Sequence, residues 1–235
     1  ETVIDTDESP GKARLDKMAG LKPAFKKDGT ITAASSSSIN DGAAALVLAR
    51  ESTAKALGAK PIARIVGHAT FSQAPEWFTT APVGAVKKLL GKIGWKVEDV
   101  QLWEVNEAFA VVPMALMEEL KVPHDIVNVN GGACALGHPI GASGARIVVT
   151  LLGALRKRGG KRGVASPGRA SFLATRCLKV ATVFGEIPSR VAISRLSYPS
   201  DSNWCTRDSR GVSRVALAVV SPSLPALQMA SGKTA

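Results

Sequence analysis

Residues 130–146 of the chain read NGGACALGHPIGASGAR, and this segment carries the clearest chemical signal in the sequence. It places five glycines around a single histidine, His138. Glycine is used where the backbone takes a positive φ or approaches another group closely, so this density predicts an ordered loop of defined shape. A lone histidine fits either a hydrogen-bonded structural role or acid–base chemistry. The loop residues by themselves leave both roles open.

A helix is predicted directly after this loop, over Ser143–Arg158. Its sequence is too apolar for a surface helix with one wet face, which indicates burial in a core. The free N–H groups and the positive dipole end at its start are expected close to His138. Such a site can hold a thioester or carboxyl oxygen, and it lowers the tendency of the imidazole to protonate.

The composition is that of a chain able to bury a sizeable core. It has 235 residues, of which 46% are hydrophobic, and no apolar run reaches the ~18 residues of a membrane span. The N-terminus is acidic, unlike a secretory signal peptide. Because residue 1 is Glu and not Met, we expect a fragment or a processed product. We predict no membrane partner.

The three cysteines are Cys134, Cys177 and Cys205. They are odd in number, widely spaced and form no CxxC pair, which disfavours a zinc site or a redox pair. We therefore predict no bound metal and a reducing, cytoplasmic compartment. Cys134 lies inside the histidine loop, and we interpret it as a small buried side chain and not as a nucleophile.

The net charge of +11 is unevenly distributed. Residues 167–235 contain nine Lys or Arg against three Asp or Glu, a net charge of +6. A second basic cluster lies at 156–162, where cations are favoured by the C-terminal end of the predicted helix. Nucleic-acid binding is one hypothesis for this charge, but no aromatic residues are interleaved with it as a stacking platform. We predict no nucleic-acid partner.

Strand-like and helix-like segments alternate along residues 43–166, which predicts an α/β layered fold. The predicted strands are 43–48, 61–70, 101–105, 126–129 and 163–166. The predicted helices are 51–58, 82–94, 107–120 and 143–158. In the remainder of the chain, residues 215–220 are the single strand candidate.

Two further blocks carry polar groups in suggestive places. Residues 106–110 read NEAFA, and Asn106 follows a predicted strand, a common position for functional groups in α/β folds. Its amide can donate one hydrogen bond and accept another, which suits holding a water or polarising a carbonyl. The alternative is a helix N-cap, with Glu107 stabilising the first turn. Residues 35–42, SSSSINDG, predict an ordered turn rich in hydroxyl groups.

These three blocks, in this order, resemble the C-terminal half of the thiolases, of the biosynthetic acetyl-CoA acetyltransferase type. The GHPIG histidine loop is the most specific match, and the resemblance covers residues 12–166. It implies a thiolase-like layered fold, whose C-terminal α/β domain has a mixed five-stranded sheet with helices on both sides, here incomplete at its C-terminal end. The implied organisation is the end of a loop region (1–31), the C-terminal domain (32–166) and a divergent, poorly ordered tail (167–235).

The resemblance also implies roles for individual residues. His138 matches the catalytic histidine, which activates a nucleophilic cysteine and helps bind the thioester oxygen. Asn106 matches the catalytic residue that holds a water in an oxyanion hole. Contacts with CoA or substrate are implied for Ser37, Phe109, Gly137 and Ala81. The implied reaction joins two acetyl-CoA into acetoacetyl-CoA and CoA, or reverses this by thiolysis, in fatty acid metabolism. It needs an acyl-cysteine and oxyanion donors, and no cofactor beyond the CoA thioester substrate. A homodimer or homotetramer is implied as well.

The sequence departs from the family pattern at both cysteines. The family's nucleophilic cysteine lies far upstream of the Ser37 position, so we expect it outside these residues. The second catalytic cysteine falls by spacing at Gly168, in SPGRAS, and Cys177 lacks the surrounding glycine loop. We therefore expect the isolated chain to be inactive or nearly so. The alternative function is a truncated, non-catalytic chain that binds CoA or forms an oligomer. A missing sheet edge is a further expectation, with the aggregation hazard of an unpaired strand.

Overall fold

The computed structural model describes residues 6–167 and the backbones of two further strands, 182–186 and 215–218. The strands are β1 (Val47–Arg50), β2 (Ala63–Ile65), β3 (Leu102–Val105), β4 (Gly163–Ser166), β5 (Thr182–Glu186) and β6 (Val215–Ala218). The α-helices are α1 (Glu8–Lys12), α2 (Glu51–Ala56), α3 (Ala81–Ile93), α4 (Val111–Leu120), α5 (Ala133–Leu136) and α6 (Ser143–Arg158). Short 3-10 helices cover Leu15–Gly20, Ala33–Ser35, Pro75–Thr80, Val97–Asp99 and His124–Ile126.

The six strands form one mixed sheet in the order β1-β6-β2-β5-β4-β3. Strands β3 and β4 are parallel, with Leu102 opposite Gly163 and Val105 opposite Ser166. The chain between them contains α4, α5 and α6, because a parallel pair needs a long crossover connection. The other neighbouring strands pair antiparallel.

Helices cover both faces of the sheet. On one face Trp103, Val105 and Val164 pack with buried residues of α3 and α4. On the other face Leu102 and Ala165 pack with buried residues of α6. Because successive residues of a strand point to opposite faces, all four residues of β3 are buried. The predicted α/β fold with helices on both sides is confirmed.

The two long helices begin and end where the sequence predicts. Helix α3 has Pro82 in its first turn and ends at Gly94, whose φ is 69°. Helix α6 ends at Gly159, whose φ is 68°. A left-handed residue after the last turn is a common helix ending, and glycine adopts it without a steric penalty. Helix α6 starts beside the histidine loop, but it buries only one face, formed by Ser143, Ile147, Leu151, Ala154 and Leu155. The prediction that it is buried on all sides is therefore wrong, because Gly144, Gly153 and residues 156–158 are exposed.

Some predicted elements differ from the structure. The sheet has six strands and not five, because residues 182–186 form β5 inside the predicted tail. The predicted strand at 215–220 is present as β6, at 215–218. Both strands lie in the interior of the sheet order, whose edges are β1 and β3, so their presence does not test the expected loss of an edge strand. The rest of the tail, including Gly168, Cys177 and Cys205, lies outside the described residues.

The predicted strand at 126–129 and the predicted start of a helix at Glu107 are wrong. A 3-10 turn occupies His124–Ile126, and Val127 makes only an isolated bridge with Trp103. The next residue, Asn128, has a φ of 47°, which interrupts an extended strand. Helix α4 begins at Val111 with Ala110 as its N-cap. Asn106 is therefore not the N-cap of α4, and Glu107 does not lie in its first turn.

The two predicted strands before α3 are shorter than their apolar runs. The segment 43–48 contributes only its last residues to β1, which continues to Arg50. The segment 61–70 contributes the three residues of β2. Within the described part of the chain, no helix has the length and apolarity needed to cross a bilayer.

Candidate active site

His138 lies in the loop between α5 and α6 and is held there by its own backbone. Its N–H donates a hydrogen bond to the carbonyl oxygen of Ser38, at 2.8 Å. The preceding residue, Gly137, has φ 87° and ψ 165°, a region that is essentially restricted to glycine. The backbone turn at Gly137 therefore directs the chain so that the imidazole points toward the end of β3.

The two contacts of the Ser143 hydroxyl favour one tautomer of the imidazole of His138. The Ser143 hydroxyl donates to the carbonyl of Pro139 at 3.1 Å, and its oxygen lies 2.6 Å from Nδ1 of His138. A hydroxyl has one proton to donate, and with that proton on the Pro139 carbonyl, Nδ1 is the donor in the second contact. The neutral ring then carries its proton on Nδ1 and presents the lone pair of Nε2.

Asn106 faces that lone pair from the end of β3. Its side-chain Nδ2 lies 3.4 Å from Nε2 of His138, and its backbone N–H donates to Ser166 at 2.9 Å. The side chain is 3% exposed. Within the described residues its Oδ1 has no hydrogen-bond partner, although buried amide oxygens are almost always paired. The predicted pair of His138 and Asn106 is thus brought together in one buried place.

Burial lowers the pKa of His138 from its ordinary value of 6.5, and the nearby charge of Arg146 lowers it further. Removing a charged imidazolium from water is unfavourable, and a neighbouring cation adds repulsion. The ring is therefore neutral at pH 7, with Nε2 available to accept a proton. The start of α6 was expected to produce this direction, but the largest cause is desolvation.

The serine segment holds the two catalytic candidates together. Ser37 donates from its N–H and from its hydroxyl to the carbonyl of Ala108, both at 3.1 Å. Ser35 accepts from the N–H of Ala110 at 2.9 Å, and Ser38 accepts from His138. Residues 35–38 therefore bridge the turn after β3 and the histidine loop. The predicted turn at 35–42 is wrong, because Ser35 ends a 3-10 helix, Ser36 is extended and residues 37–42 form no turn.

Phe109 lies in a small aromatic cluster beside Ser37. Its ring meets Phe25 edge-on at 5.6 Å and Phe78 at 6.2 Å between centroids. Phe25 is 70% exposed although it is aromatic. The cluster gives one side of the site an apolar surface next to a row of polar backbone groups, which is the usual composition of a small-molecule site.

The remaining predicted contact, Ala81, is the half-buried first residue of α3. It takes no part in the hydrogen bonds that join residues 35–38, 106–110 and 138–143. Cys134 is a free, half-buried thiol. Burial, and then the charge of Glu107, raise its pKa to about 11. It carries almost no thiolate at pH 7, which argues against a nucleophilic role. Within the described residues, no cluster of His, Cys, Asp or Glu could hold a metal ion.

The sequence analysis missed two polar residues that the structure places directly behind Asn106. Glu107 accepts hydrogen bonds from Asn128 and from the backbone of Cys134. Asn128 also pairs with the backbone of Val105, through Oδ1 at 2.7 Å and Nδ2 at 2.9 Å. The signal in the sequence was the adjacency of Glu107 to Asn106, but its interpretation as a first-turn helix residue removed it from consideration.

Ser143→Ala is expected to destabilise the chain by about 1–2 kcal/mol, because it leaves Nδ1 of His138 without its acceptor. The variant should also shift the neutral ring from the Nδ1–H to the Nε2–H tautomer. Urea unfolding measures the first effect and histidine ¹⁵N chemical shifts the second. Ser9→Ala, on the exposed helix α1, is the control. An unchanged tautomer in Ser143→Ala would contradict the assignment.

Gly137→Ala is expected to destabilise the chain by about 2 kcal/mol, from the glycine-only backbone and from crowding. A Cβ atom at this position would collide with the side chain of Asn40. The matched control is Gly153→Ala, because Gly153 lies in the exposed interior of α6 with open space around it. That control should be slightly stabilising. Equal urea midpoints for the two variants would be inconsistent with this geometry.

Comparison with known protein families gives two matches along the chain. The family model described as the thiolase N-terminal domain matches residues 1–52, and the one described as the thiolase C-terminal domain matches residues 59–175. Among curated proteins, the probable acetyl-CoA acetyltransferase of Dictyostelium discoideum is 52% identical over 165 residues. That match covers 70% of this chain and 40% of the relative.

Solved structures agree with these matches. The acetyl-CoA acetyltransferase of Bacillus anthracis superposes with a TM-score of 0.68 at 42% identity, over 77% of this chain and 45% of that one. The Acat5 thiolase of Ascaris suum, solved in complex with coenzyme A, has a TM-score of 0.66 at 40% identity. It is matched over 78% of this chain and 47% of its own. The chain thus spans less than half the length of each relative.

Proposed function

The chain belongs to the thiolase family, and we propose that it provides His138 and Asn106 to the active site of an acetyl-CoA C-acetyltransferase. The proposed reaction condenses two acetyl-CoA to acetoacetyl-CoA and CoA, and runs in reverse as thiolysis. The observation that supports it is the convergence of Nε2 of a neutral His138 with the buried amide of Asn106, at 3.4 Å. A base and an oxyanion donor side by side are what acyl transfer to and from a thiol requires.

In this proposal Nε2 of His138 takes the proton of a cysteine thiol, which makes the thiolate that attacks the thioester carbonyl. The imidazolium so formed keeps its Nδ1–H bond to Ser143, so the ring does not rotate during proton transfer. Its Nε2–H can then donate to the oxygen on which negative charge develops. Asn106 donates from Nδ2 in the same region, either to that oxygen or to a water that contacts it.

CoA is proposed to lie along the surface between Ser37 and Phe109, with Gly137 and Ala81 as further contacts. The apolar ring cluster suits the pantetheine chain, and the structure solved with coenzyme A belongs to a relative of this chain. We propose no cofactor beyond the CoA thioester, no nucleic-acid or membrane partner, a role in fatty acid metabolism and a cytoplasmic homo-oligomer, as the sequence predicts.

The proposed reaction needs a nucleophilic cysteine and a second catalytic cysteine. The family's second catalytic cysteine falls by spacing at Gly168, and Cys134 has a pKa of about 11. A competent site therefore needs cysteines from a segment outside these residues. The glycine at 168 also favours a second candidate function, in which the chain binds CoA without turnover.

A chimera separates these two functions. Residues 12–166 of this chain replace the matching residues of the Bacillus anthracis acetyl-CoA acetyltransferase, whose remaining segments are where the family resemblance places both cysteines. Thiolysis of acetoacetyl-CoA is then measured. Turnover above background supports the proposed catalytic role, with the unmodified Bacillus enzyme as the positive control. A folded but inactive chimera would contradict it. The 235-residue chain is titrated with CoA in parallel, and binding without turnover is the result expected for the second function.

A further inference from the structure

We propose that Glu107 is a positioning residue for this site, which sets the distance between Asn106 and His138 by clamping the loop that leads to His138. This inference rests on the proposed function for its consequence in catalysis, and on side-chain contacts for its geometry. Glu107 follows Asn106 directly in the sequence, so any group that holds Glu107 also holds the turn that presents the Asn106 amide.

The carboxylate of Glu107 is divided between two donors of the glycine-rich loop. One oxygen accepts from Nδ2 of Asn128 at 2.6 Å. The other accepts from the backbone N–H of Cys134 at 3.2 Å. The Glu107 carbonyl also accepts a weak hydrogen bond from the thiol of Cys134, at 3.7 Å. One residue of the turn after β3 therefore fixes both ends of the segment 128–134.

The glycine at position 132 is what permits this approach. A Cβ atom at Gly132 would collide with the carboxylate carbon and both oxygens of Glu107. Glycine allows a backbone to come this close to another group, so the loop is shaped around the carboxylate. Asn128 contributes the rigid side of the clamp, because its side chain pairs with both backbone groups of Val105.

The path from this clamp to His138 is short. The N–H of Cys134 belongs to the first turn of α5, which has four residues and ends at Leu136. Gly137 and His138 follow directly after this helix. The hydrogen bond of the Cys134 N–H therefore anchors the short helix that precedes His138. The clamp and the bond from His138 to Ser38 hold this loop at opposite ends. Without the clamp, the histidine loop keeps its contacts with Ser38 and Ser143, but it loses its direct bonds to the residue that follows Asn106.

Histidine NMR tests this on the full 235-residue chain, which contains only three histidines. The signals of His138 are identified by their loss in His138→Asn. In Glu107→Ala we expect the Nε2–H tautomer of His138 to gain population, because the ring loses its fixed geometry. Greater hydration raises the pKa of His138 and the loss of a negative charge lowers it, so the tautomer is the deciding readout. Glu107→Gln keeps one acceptor oxygen and replaces the other by an NH₂ group, so it should give an intermediate shift.

Two controls separate positioning from general destabilisation. Leu116→Ala removes a fully buried core side chain of α4 and should lower the urea midpoint without moving the His138 signals. Glu119→Ala removes an exposed carboxylate and should change neither. A wild-type His138 tautomer in Glu107→Ala would overturn the proposal, as would an equal shift in Leu116→Ala.

A CoA titration of the same samples distinguishes failure of the proposed function from failure of the positioning role of Glu107. Failure of the wild-type chain to bind CoA counts against the proposed function, while the His138 signals of Glu107→Ala still decide the positioning role. In the chimera, Glu107→Ala should lower kcat about tenfold or more and leave KM for CoA within about twofold, since it misplaces a base without touching the substrate. A change in KM alone would overturn the positioning role.

Discussion

His138→Ala in the chimera is expected to lower kcat for thiolysis of acetoacetyl-CoA about 10³-fold, with a much smaller change in KM. In the proposed mechanism, the substitution removes the base that takes the thiol proton, and it removes an N–H donor from the developing oxyanion. Each of these contributions is typically worth about 10²–10³-fold, and residues that act as a unit are not additive. Steady-state kinetics at saturating CoA measures the loss.

The matched control is His124→Ala. His124 lies on an exposed 3-10 turn, so His124→Ala removes an imidazole that lies outside the site. The kcat should stay within about twofold, because surface substitutions are usually nearly neutral. The pH dependence gives a second criterion. Because burial and Arg146 lower the pKa of His138, the acidic limb of kcat/KM should fall below pH 6.5 in the chimera and be absent in His138→Ala. A His138→Ala chimera within tenfold of its parent would refute the assignment of the base.

The elements that position His138 follow from local signals and could be predicted from sequence. Helix α6 was predicted at 143–158 and strand β4 at 163–166, with the bounds that the structure gives them. Both are delimited by glycines. The burial of β4 matches its apolar pattern, whereas α6 buries only one face. The three site blocks stand out by residue type, but the roles given to their residues came from the family resemblance.

The contacts that arrange the site could not be predicted, because they join residues far apart in the chain. The strand predicted at 126–129 is replaced by a turn in which the Asn128 side chain supplies the hydrogen bonds that a neighbouring strand would make to Val105. The apolar residues around Val127 give no sign that the Asn128 side chain takes the place of a neighbouring strand. Glu107 likewise is a residue type common in the first turn of a helix. Only the tertiary approach of Gly132 lets its carboxylate accept hydrogen bonds from Asn128 and Cys134 instead. Strand β5 was missed because Gly185 within TVFGE weakens the β pattern.

Glu104→Gln is expected to remove a pH dependence of stability that amounts to about 3 kcal/mol between pH 4.5 and 8. Glu104 is 1% exposed in β3. Its pKa is raised from 4.5 to about 7, mainly by desolvation, while Arg146 opposes the rise and Glu107 adds to it. The ion pair is loose, with 4.0 Å between Oε2 of Glu104 and Nη1 of Arg146. Within the described residues Oε1 has no hydrogen-bond partner.

The sign follows from proton binding. Between pH 4.5 and about 7 the folded chain keeps a proton on Glu104 that the unfolded chain has lost. The contribution to the free energy of unfolding is therefore fully present below pH 4.5 and decreases as the pH rises through 7. Glutamine is neutral throughout, so the variant should match the wild type at pH 4.5 and exceed it at pH 8. His138 titrates in the same window with the opposite sign, and the difference between variant and wild type cancels its contribution.

Urea unfolding at half-unit pH steps measures this difference, with Glu119→Gln as the control because Glu119 is an exposed carboxylate paired with Lys87. The control should follow the wild-type profile. Parallel profiles for Glu104→Gln and wild type would show that Glu104 is ionised at no cost in the fold. The predicted divergence would mean that a protonated carboxyl lies two residues before Asn106. In that case Glu104 no longer balances the charge of Arg146 below pH 7, and that charge acts on His138 without a full counter-charge.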